Sequence, residues 1–123
     1  MEKFIKVGDE KLYVNFLDVD FRKKYTHNLE RFHGEISKVD VDNMEESESM
    51  LIMAGKAEAF FDSTWGEGTF DRIFNGVRDL DAIYDVLMRA TDMKDEQEIA
   101  FATKTAEYTK KVLGEDDDES ING

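Results

Sequence analysis

Two histidines, His27 and His33, are the only imidazoles in 123 residues. Six apart on a helix, they project about 240° from one another around the axis, so they cannot share a metal ion there. Each reads as a solvated helix residue, with a proton-transfer role as the alternative. Two acidic pairs, Asp18/Asp20 and Asp40/Asp42 with Asn43, carry oxygen ligands of the kind calcium uses. Neither is followed by the glycine and the bidentate glutamate that an EF-hand loop requires, and both read as helix caps or solvated loops. Gly66-Glu67-Gly68 has half of a phosphate-cradling loop. It lacks a third glycine, a Lys-Ser/Thr continuation and a preceding strand, so a turn is the better reading. Ser63 and Thr64 have no His-Asp pattern placed to activate them. There is no cysteine, hence no disulfide, thiolate metal site or thiol nucleophile. These residues imply no enzyme, no cofactor and no metal.

What remains is apolar chemistry. Met44, Met50 and Met53 recur near helical spacing ahead of Phe60 and Phe61, and the single tryptophan, Trp65, precedes Gly66 and Gly68. Thioether side chains adapt to varied partners, and aromatic anchors dominate binding hot spots. Met50, Met53, Phe61, Trp65 and Phe70 are therefore the candidate partner-binding residues. The alternative is that the methionine and phenylalanine stripe faces the core and Trp65 closes it as a lid.

The elements that position these residues follow from periodicity. Ile5 and Val7, then Leu12, Val14 and Phe16, alternate with polar neighbours across Gly8-Asp9, predicting a hairpin over residues 4–16. Asp18 or Asp20 then caps a helix on which Phe21, Tyr25, Leu29, Phe32 and Ile36 share one face, with Gly34 a tolerated blemish or a stop signal. After a polar link over 38–43, a helix is expected from about Met44 to Asp62, with Glu45, Glu46 and Glu48 complementing its dipole. Ser63 to Thr69 reads as a loop, and a short helix follows over Phe70–Phe74, ended by Asn75-Gly76. Two further helices are predicted, one of about 80–92 capped by Asp79, and one from Asp95 to Leu113 with apolar residues on two faces, the sign of more than one contact surface. Gly114 ends it. The segment 114–123 has five acids and one large aliphatic, Ile121, and is expected to be disordered.

The expected fold class is therefore α+β, mainly α: one domain over 1–113 with an N-terminal two-stranded hairpin and about four helices, whose core includes Leu12, Val14, Phe21, Tyr25, Leu29, Phe32, Met53, Ala57, Phe60, Ile73, Phe74, Ile83 and Leu87. Hydrophobic residues make up 41% of the chain, enough to offset folding entropy over one core. The formal charge is −13, of which residues 1–113 carry −8. Such a field repels phosphates and anionic lipid over roughly a Debye length, so neither direct nucleic acid binding nor membrane association is expected. No stretch approaches the apolar length of a membrane span, and with no cysteine a cytoplasmic location is expected.

The hairpin of 4–16, the amphipathic helix after it, and Phe60-Phe61-Asp62 leading into Trp65-Gly66-Glu67-Gly68-Thr69-Phe70-Asp71-Arg72-Ile73-Phe74-Asn75-Gly76 resemble the small tail assembly chaperones of long-tailed bacteriophages and prophages. The resemblance covers about residues 3–92, and it contains no catalytic signature. It implies a protein of the bacterial host cytoplasm that coats the long helical tape-measure protein and keeps it soluble while tail-tube subunits polymerise. Self-association is expected separately, because an apolar patch left unoccupied would otherwise aggregate. A competing expectation from the charge alone is an acidic mimic of nucleic acid that blocks a host DNA-binding enzyme. That reading is weakened because much of the acidity lies in the terminal segment, away from any ordered array.

Overall fold

The computed structural model describes residues 1–114. Strands β1 (Phe4–Val7) and β2 (Glu10–Tyr13) form an antiparallel hairpin in which Ile5 pairs with Leu12 and Val7 with Glu10. Gly8 turns the chain with a positive φ of 61°. Period-2 alternation puts Ile5 and Leu12 on the covered face, while Phe4 on the other face lies exposed against Tyr13. Val14 and Phe16, just past β2, continue the buried set.

Helix α1 (Val19–Ile36) starts where Asp18 accepts the amide hydrogens of Asp20 and Phe21. Tyr13 also donates its hydroxyl to Asp18 at 2.8 Å, and that bond holds the carboxyl below its ordinary pKa. The cap thus ties the hairpin to the helix. Gly34 lies inside α1 and does not stop it. A short 3-10 turn, Val41–Asn43, leads to α2 (Glu46–Trp65). The helix extends beyond the expected end at Asp62, because Ser63, Thr64 and Trp65 carry no breaker and Thr64 is buried against α1. There Asn28 Nδ2 donates to Thr64 Oγ1 at 3.1 Å, satisfying both polar groups inside the contact between the two helices.

Helix α3 (Thr69–Phe74) follows Gly68, whose φ of 88° a side-chain-bearing residue rarely adopts. Helix α4 is a single element, Leu80–Leu113, 34 residues long. The expectation of two helices divided near 93–94 is therefore corrected. Thr91, Asp92, Met93 and Lys94 include neither proline nor glycine, and Ala90, Met93 and Gln97 are buried on one face, so the helix crosses this segment without changing register. Asp79 caps its start and Gly114, at φ 60°, its end. The segment 115–123, expected to be a disordered acidic tail, lies outside the described residues.

The core is largely aromatic. Phe16, Phe21, Tyr25, Phe32, Phe60, Phe61, Phe70 and Phe74 are all buried, and they meet mostly edge to face, the arrangement their ring quadrupoles favour. Leu29 and Met53, expected inside, are only partly covered. Ile5, Phe16, Val86, Ala90 and Met93 join the core in addition.

Burial raises the Tyr25 hydroxyl pKa to about 12, since ionisation there would place charge in an apolar setting. In the unfolded chain Tyr25 loses its proton near pH 10, and in the folded domain only near 12, so folding stability is complete below pH 10 and falls between those values. The expected loss from this residue is on the order of 2 kcal/mol. Urea midpoints measured from pH 8 to 11.5 should fall more steeply for the native chain than for Tyr25→Phe. Parallel curves would assign the alkaline loss to other groups.

Candidate functional site

The five candidate partner-binding residues do not form one surface. Phe61 and Phe70 are fully buried, at 0% and 1% exposure. They are core side chains and cannot present a face to a partner while the domain is folded. Trp65 is partly covered and lies on the last turn of α2, not in a loop. Its indole stacks on Phe61 with centroids 5.5 Å apart and its Nε1–H donates to the Tyr13 carbonyl at 2.6 Å. That is the lid alternative: a ring closing the core, its polar edge bonded to the hairpin. Met53 is half-buried, and Met50 alone of the five is well exposed, at 51%.

The stretch from Phe60 to Gly76 has a structural explanation. Asp62 accepts the Phe70 amide hydrogen at 2.9 Å, and Thr69 donates its hydroxyl to the Gly66 carbonyl at 2.6 Å. Together they fold the chain tightly from α2 into α3, and Phe61 then packs against Phe70 and Phe74. The aromatic-Asp and Gly-containing segments are thus two sides of one clamp.

Acidic and imidazole candidates are placed as solvated groups or caps. His27 and His33 are exposed, Asp18 caps α1, and Asn43 bonds to Asp40 in an exposed turn. Among the described residues no group of three His, Cys, Asp or Glu side chains is arranged to hold a metal ion.

The feature that stands out is the second half of α4. Up to Glu98 the helix is anchored: Gln97 is buried, Glu98 pairs with Arg22 at 2.7 Å, and Arg89 pairs with Glu2 and Glu96. The Arg22 hydrogen bond holds the Glu98 carboxyl below its ordinary pKa. From Ile99 to Leu113 every residue is exposed. These four turns form an arm of about 22 Å at 1.5 Å per residue. It carries Ile99, Phe101, Tyr108, Val112 and Leu113, with Ile99 68% and Tyr108 66% exposed.

The apolar residues of the arm are arranged in stripes. Buried Ile83, Leu87, Ala90 and Gln97 define the body-facing side of α4. Continued at 3.6 residues per turn, the same side carries Phe101, Tyr108 and Val112. The outer side of α4 carries Tyr84 and Met88, then Ile99, Ala102, Ala106 and Leu113, all exposed. Two apolar faces over 95–113 were legible in the sequence. That the described residues leave them exposed was not, because amphipathic spacing is the same for a helix against its own core and one awaiting another surface.

The arm also differs in charge. Residues 99–113 contain Lys104, Lys110 and Lys111 against Glu107, a net +2, whereas residues 1–98 contain 23 acids and 13 bases, a net −10. No helix among the described residues is long and apolar enough to cross a membrane. The arm is an apolar, mildly cationic helix held out from an acidic body, a geometry that suits protein contact.

No curated protein and no solved structure matches the chain. A family model does match it over residues 8–115, a span that includes β2, all four helices and the whole arm. On that match the chain belongs to DUF6673, a family of unknown function.

Proposed function

We propose that this protein is a binding chaperone that shields an amphipathic helical segment of a larger protein, in the manner of the phage tail assembly chaperones it resembles, with the tape-measure protein as its client and tail-tube subunits as its successors on that client. The observation that carries this reading is the arm, four helical turns whose five large apolar side chains are all left exposed by the described residues. A monomeric soluble domain gains nothing from displaying such a face, whereas a helix-binding protein needs one. The acidic body supports the same role, since like charge keeps coated complexes dispersed. The client surface lies on the arm, away from Trp65 and Phe70.

Co-expression with the neighbouring open reading frames, followed by purification of whatever remains bound, tests the proposal. A long helical protein soluble only in the presence of this chain is the expected result. Phe101→Ser with Tyr108→Ser should remove that solubilisation while leaving the melting temperature within a few degrees, because both positions lie outside the core and surface changes shift stability little. If the chain captures no neighbouring product and instead displaces DNA from a host enzyme, the acidic-mimic reading takes its place.

A further inference from the structure

We infer that the arm of one copy seats on the acidic, apolar corner at the other end of α4 in a second copy, forming a two-fold dimer with the α4 helices antiparallel. The inference rests on the reading of the arm as a docking surface, and not on the tail-assembly role.

The corner lies where α2 begins and α4 has yet to start. Met50 and Leu51, 51% and 58% exposed, line a groove with Ser47, Ala54 and Arg78. Val77, also 58% exposed, immediately precedes Arg78. Acidic side chains flank it: Glu46 stands one turn before Met50 and Glu48 three residues before Leu51, both exposed. The arm presents the complementary pattern, with Phe101 and Tyr108 bordered by Lys104 and Lys111 on neighbouring rows of the helix. Apolar residues rimmed by opposite charge stand on both surfaces, which is what fixes register between two proteins.

Geometry decides among the occupants within reach. The arm cannot bend back to its own corner, because α4 runs unbroken from Leu80 to Leu113, about 51 Å, with no proline or glycine inside it. Two arms laid on each other would bring two surfaces of net charge +2 together. A second copy's corner supplies both the apolar contact and the carboxylates. Arm and corner sit at opposite ends of one rigid helix, so an antiparallel pair brings each arm to the other's corner at once and closes the assembly.

A charge swap tests this in the intact chain. The native protein should sediment as a dimer at tens of micromolar and dissociate as salt is raised. Lys104→Glu with Lys111→Glu sets acid against acid at both contacts, as Glu46→Lys with Glu48→Lys sets base against base, so each double variant should weaken dimerisation on the order of tenfold or more. Mixing the two variants restores opposite charge at both contacts, and a heterodimer should form. Far-UV circular dichroism and melting curves verify that each variant is folded. A native chain that is monomeric at about 100 μM, variants that dimerise as well as the native chain, or folded variants that fail to pair on mixing would overturn the proposal. Loss of the dimer contact with client capture intact would remove the second copy while leaving the arm as a client surface; capture abolished by Phe101→Ser/Tyr108→Ser in a chain that never dimerises would do the same.

Discussion

Phe60→Ala is expected to cost the domain about 3–5 kcal/mol, the range for deleting a buried aromatic ring whose cavity cannot collapse. Phe60 is 1% exposed and touches four aromatic neighbours: Tyr25 at 5.4 Å, Phe61 at 5.4 Å, Phe32 at 5.8 Å and Trp65 at 5.9 Å between centroids. Those neighbours come from α1 and α2, so the hole would open where the two helices join and neither could move in without breaking the other contacts. Single domains are stable by only about 5–15 kcal/mol, so the variant should unfold at a far lower urea concentration. Phe32→Ala, at the same junction, should behave similarly. Met88→Ala, removing a side chain 64% exposed, should change stability by less than about 0.5 kcal/mol. Losses below about 1 kcal/mol at both phenylalanines would show that the aromatic cluster is not the packing centre.

Gln97→Leu is the second large effect, with an expected loss of about 3–5 kcal/mol from a polar side chain. Gln97 is 1% exposed and its amide is fully used: Oε1 accepts the Phe16 amide hydrogen at 2.7 Å, while Nε2 donates to the carbonyls of Glu2 and Val14, both at 2.8 Å. One side chain thus joins α4 to the chain before β1 and to the chain after β2. Leucine fills a similar volume but leaves one donor and two acceptors without their partner, and orphaning a buried polar group costs about 1–3 kcal/mol. Gln97→Glu should also destabilise, since a carboxylate can accept from Phe16 but is repelled by the two carbonyls it replaces donors to. Because that carboxylate can bind a proton and donate again, Gln97→Glu should recover part of its stability as pH is lowered, which Gln97→Leu should not. Equal, small losses for both variants at every pH would show that the clip contributes little.

The positions of α1 and of the hairpin were legible because their signals are local. Phe21, Tyr25 and Phe32 recur at helical spacing behind an aspartate that caps its own helix, and Ile5, Leu12 and Val14 alternate about a glycine turn. Asp79 and Gly114 marked the two ends of α4 for the same reason, since a cap acts on backbone groups within a few residues. The sequence by itself therefore determined the hairpin, the helical faces, the charge and the lack of a thiol. Tertiary structure decided the rest. Whether Phe61, Trp65 and Phe70 serve a partner or the core depends on what α1 and the hairpin place over them, contacts between residues far apart in the chain. Gln97 looked like any polar residue on a helix until the chain ends of both strands were brought to it. The apolar residues of 99–113 kept the same spacing they would have in a core, and only the size of the described body, whose salt bridge from Arg22 reaches α4 at Glu98, left them exposed. Periodicity records which side of an element is apolar; what lies against that side is set by the packing of the whole chain.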